Sequence, residues 1–203
     1  MLSDEKYKRA ITRNLDELAN ARLEQCALSS FDRYLETHGV YYCGENFFTI
    51  TGRALFNCMV GHAIKVLDRH RKSAAFWAIF DTAPDKITKL SSYKEEKLRF
   101  LDGLTGKLKL VRDKTHFHLD EEGILDPRAI WRDADIKRVK LGEGLGYVWE
   151  MLRELHLVEL GKQFSDPCER YDGRDVVQLL DFACSMGILQ LEGLVGSSST
   201  SGG

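Results

Sequence analysis

The 203-residue chain has little of what marks a secreted, membrane-bound or β-rich protein. It contains only three prolines, Pro84, Pro127 and Pro167, so long helices can run without the break imposed by a proline ring and its missing N–H. No apolar run approaches the ~20 residues needed to span a bilayer, and the opening MLSDEKYKRA lacks the apolar stretch of a signal peptide. The five cysteines, Cys26, Cys43, Cys58, Cys168 and Cys184, are odd in number and far apart in sequence, with no CxxC pair. This argues against a disulfide framework or a zinc site and fits reduced, mostly buried thiols in a cytoplasmic protein. Strand signals are equally sparse: residues 47–51 (FFTIT) form the best β-like run, without any turn-and-repeat pattern around it. A formal charge of −2 argues against a broad basic surface built to coat nucleic acid, though not against a local basic site.

What is present is helical periodicity. Apolar residues make up 43% and charged residues 30%, the profile of a folded soluble domain large enough for a single core. Ser3 is a candidate N-cap, with Asp4 and Glu5 in the first turn, and Ile11, Leu15, Leu18, Leu28, Phe31 and Leu35 recur at helical spacing. Gly39 ends this first long helix, and residues 39–46 read as a loop. A second helix is predicted from about 47 to 70, with Phe56, Val60, Ala63 and Leu67 as its seam. Residues 74–80 form a short apolar segment, and a further helix carries Leu98, Leu101, Leu104, Leu108 and Val111. Pro127 suits the first turn of a short helix capped by Asp126. LGEGLGY (141–147) lacks the preceding strand and the Lys-Ser/Thr of a phosphate loop, so it reads as a turn or a close-packed helix start. Leu145, Val148, Leu152 and Leu155 follow at helical steps, and a last helix is expected near 174–186. The expectation is an all-α bundle of about five to seven helices over residues 1–195, with 196–203 a disordered Gly/Ser tail.

Chemistry concentrates in residues 110–120 (LVRDKTHFHLD), which place Arg112, Asp113, Lys114, His116, His118 and Asp120 at the end of an apolar seam. Continuing the seam from Leu108 and Val111 lands on Thr115 and His118, while Arg112 and His116 are i,i+4 neighbours on its flank. A structural reading makes His118 an interior histidine and Arg112 half of a salt bridge. A metal reading notes that THFHLD resembles the T-H-x-H-x-D-H motif of the metallo-β-lactamase superfamily. However, Glu121 replaces the closing histidine, the remaining ligands are missing, and on a helix His116 and His118 diverge by about 200°. No metal or other cofactor is expected. A third reading is nucleolytic. A histidine titrates near ~6.5 and serves as acid or base at neutral pH, and an arginine fork matches phosphate oxygens.

Arg112-Asp113-Lys114-Thr115-His116-Phe117-His118 resembles the arginine, four-to-six residues, histidine signature of the helical HEPN superfamily, with Asp113 as the polar residue after the arginine. The wider context is similar to its AbiU-type abortive-infection branch. There an R-x-K-x-x-x-H-x-D motif closes one helix, and an earlier helix ends in a pattern similar to residues 66–73 (VLDRHRKS). The resemblance covers roughly residues 47–120. It implies a HEPN-like fold, a homodimer with the two motifs meeting in one composite site, and metal-independent RNase activity in phage defence or toxin–antitoxin control, with an antitoxin as possible partner. His118 is then the acid/base residue, Arg112 the phosphate ligand and Asp113 an orienting group, with His116 the second choice that helical geometry prefers. Lys109, Lys114 and Asp120 support RNA binding. The alternative is a non-catalytic HEPN-like module that binds RNA, a nucleotide or a protein. His70 could approach the motif but reads more simply as a helix-end residue, and Glu24, Cys26 and His62 show no spacing that points to a site.

Overall fold

The computed structural model describes residues 1–38, 40–41, 47–116, 127–186 and 190–191. These residues form an all-α bundle of eight helices: α1 (Asp4–His38), α2 (Phe47–Leu67), α3 (Phe76–Thr82), α4 (Pro84–Thr88), α5 (Glu95–Val111), α6 (Pro127–Ala134), α7 (Arg138–Leu160) and α8 (Arg174–Ser185). A π-helical turn, Arg112–His116, follows α5, and a 3-10 turn, Pro167–Glu169, precedes α8. The strand content described is one antiparallel pair of two-residue strands, β1 (Val40–Tyr41) and β2 (Gln190–Leu191).

The 35-residue α1 is the axis. Its Tyr7, Ile11, Leu15, Leu18, Ala21 and Leu28 are buried at steps of three, four or seven, so one stripe faces the bundle along its length. Against that stripe lie Met59, Val60, Ala63, Val66 and Leu67 of α2 and Leu141, Leu145, Val148, Leu152 and Leu155 of α7. Each of these Val, Leu and Met side chains contributes about 1.5–3 kcal/mol by leaving water. The β-like run 47–51 is helical, as the first turns of α2; one face of a packed helix outweighs local β propensity. Buried Asn14 donates from Nδ2 to the carbonyls of Ala10 and Ala74, both at 2.8 Å, and so pins the segment before α3 to α1 without an unpaired polar group.

Pro84 occupies the first turn of α4. Beyond α4 the amides of Ser91 and Ser92 donate to the Glu154 carboxylate of α7, at 2.7 and 2.9 Å. That carboxylate replaces the intrahelical acceptors and separates α4 from α5, giving one helix more than the periodicity predicts. The alternating glycines lie inside α7, as close-packing positions rather than a turn. A Cβ on Gly144 would sit 2.4 Å from Leu104 Cδ2, and one on Gly142 2.3 Å from Gln25 Nε2, so α7 approaches α5 and α1 through missing side chains. A second, smaller cluster of Phe31, Tyr34, Leu180 and Ala183 holds α8 against the C-terminal part of α1. The predicted tail 196–203 and the Asp126 cap lie outside the described residues.

Candidate functional site

Two predicted helices end earlier than their periodicity, and the space this opens is the candidate site. α2 stops at Leu67 rather than near His70. Asp68 Oδ1 accepts the His70 N–H at 3.1 Å, and the His70 carbonyl accepts the Ser73 N–H at 2.7 Å, so local acceptors turn the chain away. α5 stops at Val111 and continues as the π turn Arg112–His116. The seam extrapolated to Thr115 and His118, and the i,i+4 pairing of Arg112 with His116, both assume α-helical steps that end at Val111. π turns widen the spiral to i→i+5 and recur at functional sites.

The two ends are joined by Arg112. Its Nη1 donates to Asp68 Oδ1 at 2.5 Å and its Nε to Asp113 Oδ1 at 2.7 Å. Arg112 is 26% exposed, Asp68 22% and Asp113 40%. The hydrogen bond to Asp113 is the main reason the guanidinium pKa lies above its ordinary value; burial opposes it, and the Asp68 charge adds to it. The side chain is a fixed cation. Two of its five N–H donors are engaged by these contacts among the described residues, which leaves a fork capable of further acceptors.

A cleft of about 570 Å³ opens beside this clamp, with Ile64, Leu67, Thr105 and Leu108 among its walls. Its charged lining consists of Arg69, Arg71, Lys109 and Arg112 against Asp68 and Asp102, and His70 lines it as well. Four cations face two carboxylates in a protein whose net charge is −2. Arg69 is itself built in: it donates to Asp102 at 2.6 Å and lies 3.8 Å over the Trp77 ring. Trp77 Nε1 in turn donates to Thr105 Oγ1 at 2.9 Å, and the Thr105 hydroxyl donates to the Leu101 carbonyl. Trp77 is thus a core anchor that also carries a cleft arginine. His70 Nδ1 accepts the Lys72 N–H at 3.3 Å, which puts the proton of the neutral ring on Nε2.

Of the residues singled out from sequence, Arg112, Asp113 and Lys109 stand at or beside this cleft. Lys114 is half-buried in the π turn. His116 belongs to that turn by its backbone, while His118 and Asp120 lie outside the described residues. The segment 68–71 and Arg112 are brought together, including His70, which is more than a helix-end residue because it lines the cleft. Asp102 was not singled out. The signal for it is the spacing of Asp102, Gly106, Lys109 and Asp113, a polar stripe at steps of four and three beside the leucine seam. No family model, curated protein or solved structure gives a significant match to the chain.

A second polar cluster was also missed. His62 on α2 lies between two α1 carboxylates, with Nδ1 2.7 Å from Glu17 Oε2 and Nε2 3.3 Å from Glu24 Oε1. Lys65 and Arg13 also reach Glu17. The hydrogen bond to Glu24 raises the His62 pKa most; burial opposes it, and Glu17 reinforces it. Burial would raise the Glu17 carboxyl, but hydrogen bonds from His62 and Lys65 outweigh it and hold the group below its ordinary range. Glu17 and Glu24 are seven residues apart, two turns on one helix face, a spacing readable from sequence once α2 is known to cover that face. Among the described residues no group of three or more His, Cys, Asp and Glu side chains is arranged to hold a metal ion.

Proposed function

We propose that the cleft at the ends of α2 and α5 binds the phosphates of RNA and that the protein is a metal-independent endoribonuclease of HEPN type. The observation that carries this reading is Arg112: a half-buried guanidinium held in place by Asp68 and Asp113 at the edge of a cation-rich cleft. A cation already fixed in position loses little freedom when a phosphate arrives and needs no rearrangement as charge builds on the phosphorus. Arg69, Arg71 and Lys109 extend the positive field along the lining.

In the proposed reaction the 2′-oxygen attacks the adjacent phosphorus while a histidine accepts its proton. The 5′-oxygen leaves with a proton, giving a 2′,3′-cyclic phosphate and a 5′-hydroxyl. Arg112 donates to the non-bridging oxygens, and Asp113 keeps its fork oriented. His118 is assigned the acid/base role on the resemblance of its motif, with His116 second; Lys114 and Asp120 support the strand. The same reading has two copies of the chain meeting at this end, so that each Arg112 works beside the partner motif, in a cytoplasmic defence or toxin–antitoxin setting with an antitoxin as possible partner.

The second reading is a HEPN-like module that binds RNA or a nucleotide without cutting it. It is favoured by the two carboxylates that already share the Arg112 charge. One assay separates the two: RNA incubated in EDTA with the protein, Arg112→Ala and His118→Ala. Chelator-resistant cleavage lost in both variants supports the enzyme. Binding without cleavage selects the module, and cleavage unchanged in both variants removes this site from the reaction.

A further inference from the structure

The sulfurs of Cys26 and Cys168 lie 2.8 Å apart, although the two residues are 142 positions apart in sequence. They were expected to be separate, mostly buried thiols. Instead Cys58 is exposed, Cys26, Cys168 and Cys184 are half-buried, and two of them touch. A disulfide needs the sulfurs only about 0.8 Å closer, at ~2.05 Å. We propose that Cys26 and Cys168 form a reversible intrachain disulfide that staples the segment between α7 and α8 to α1.

Several contacts hold this pair in register. Asp166 caps the 3-10 turn by accepting the Cys168 N–H at 3.0 Å, and the same carboxylate takes a two-pronged bond from Arg22, at 3.2 and 2.6 Å, one turn before Cys26 on α1. The Cys168 sulfur also lies 3.5 Å from the Arg22 carbonyl. The bond therefore closes where Arg22, Asp166 and the turn already fix both backbones, so little native distortion opposes it. The pair is reachable: both cysteines line an open groove of about 320 Å³ together with Arg22, Ser30 and Arg33. The segment they tie down carries α8, whose small cluster with Phe31 and Tyr34 is separate from the main core. A covalent tie at residue 168 limits how far that outlying helix can detach.

Formation by a low-molecular-weight disulfide balances without any bound cofactor. One cysteine thiolate attacks a sulfur of the small disulfide and releases one small thiol, leaving a mixed disulfide on the protein. The second cysteine then displaces the other small thiol and closes the protein bond. Two electrons pass from the cysteines to the small disulfide, and the two cysteine protons end on the released thiols. Burial, with the neighbouring Cys26 sulfur, pushes the Cys168 thiol well above its ordinary pKa, so closure is slow at neutral pH and faster in alkali.

The test uses the full chain, incubated at pH 8 with oxidised glutathione, then unfolded and alkylated with iodoacetamide. The expected result is a loss of 2 Da and three alkylated cysteines in place of five, with peptide mapping placing the bond between residues 26 and 168. Tm rises by roughly 5–15 °C, and dithiothreitol reverses both changes. Cys58→Ser and Cys184→Ser retain the bond; Cys26→Ser and Cys168→Ser lose it. The wild-type mapping needs no variant to fold. A bond mapped to any other pair, glutathione left on Cys26 or Cys168 without ring closure, or five free thiols after prolonged exposure would each overturn the proposal.

Discussion

Removing either side of the Arg112–Asp68 contact should cost measurable stability, and removing both should cost less than the sum. At 2.5 Å the gross attraction is about 7 kcal/mol at an effective dielectric constant of ~20. Taking a guanidinium and a carboxylate roughly three-quarters out of water costs several kcal/mol for each ion, so the net is far smaller. Exposed pairs are worth about 0–1 kcal/mol, whereas breaking a buried pair costs about 3–5. With exposures of 26% and 22% the clamp falls between these limits. Asp68→Ala and Arg112→Ala are each expected to lose about 1–2.5 kcal/mol, with a coupling energy of about 1–2 kcal/mol in the double variant. Asp68→Ala takes the larger loss, because His70 N–H also loses its acceptor. Urea unfolding of the four proteins supplies the cycle. A coupling below about 0.3 kcal/mol would refute the clamp, since the two side chains would then be acting independently across the ends of α2 and α5. Asp113 is 40% exposed, so Asp113→Asn should shift stability by less than about 0.5 kcal/mol and act chiefly on the orientation of Arg112.

The glycines of α7 should respond with opposite signs. Gly144→Ala must displace the Leu104 side chain and is expected to destabilise by about 1–2 kcal/mol even after the gain in helix propensity. Gly146→Ala meets nothing within 4 Å and should stabilise by about 0.5–1 kcal/mol; thermal melts check both, and equal effects would contradict the packing. His62 gains its partners on folding, so its folded pKa lies above the unfolded ~6.5. Its contribution is complete below about pH 6.5 and is lost as pH rises through the folded value. His62→Gln should therefore flatten the fall in stability above that pH, and an unchanged profile would remove His62 from the cluster. Glu17 runs the other way: its folded pKa is depressed, so its contribution holds at neutral pH and is lost as pH falls through the acid range.

The bundle is legible because its information is local. Ile11, Leu15, Leu18 and Leu28 report one face of α1, and Leu101, Leu104, Leu108 and Val111 one face of α5, whatever those faces meet. The site is less legible because two of its determinants are interruptions. The turn after Leu67 depends on Asp68 accepting a backbone amide, and the change of pitch at Arg112 replaces an α-helical extrapolation that ran on to His118. Arg69 is similar: sequence offers a cation at a helix end, whereas its fixed position comes from Trp77, itself held by Thr105 on another helix. Cys26 and Cys168 are the extreme case, since contact across 142 positions leaves no mark on local pattern. The fold also constrains how two copies can meet. Leu179 and Phe182 of α8, with Met186 just past its end, make an exposed apolar stripe, but α8 packs at Phe31 and Tyr34, about 36 Å along α1 from Tyr7. The cleft segment 68–71 borders Met1 and Leu2 at the other end. A dimer formed through α8 would hold the two clefts apart, whereas the proposed composite site would need contact at the cleft end.

The proposed binding of RNA phosphate in the Arg112 cleft can be tested by affinity, without requiring turnover. Fluorescence anisotropy with a short single-stranded RNA at fixed salt should give a Kd raised at least tenfold by Arg112→Ala, about 1.4 kcal/mol. The slope of log Kd against log salt should fall by roughly 0.7 for the lost phosphate contact. An unchanged Kd and slope in a variant that remains folded would rule out this cleft as the RNA phosphate site.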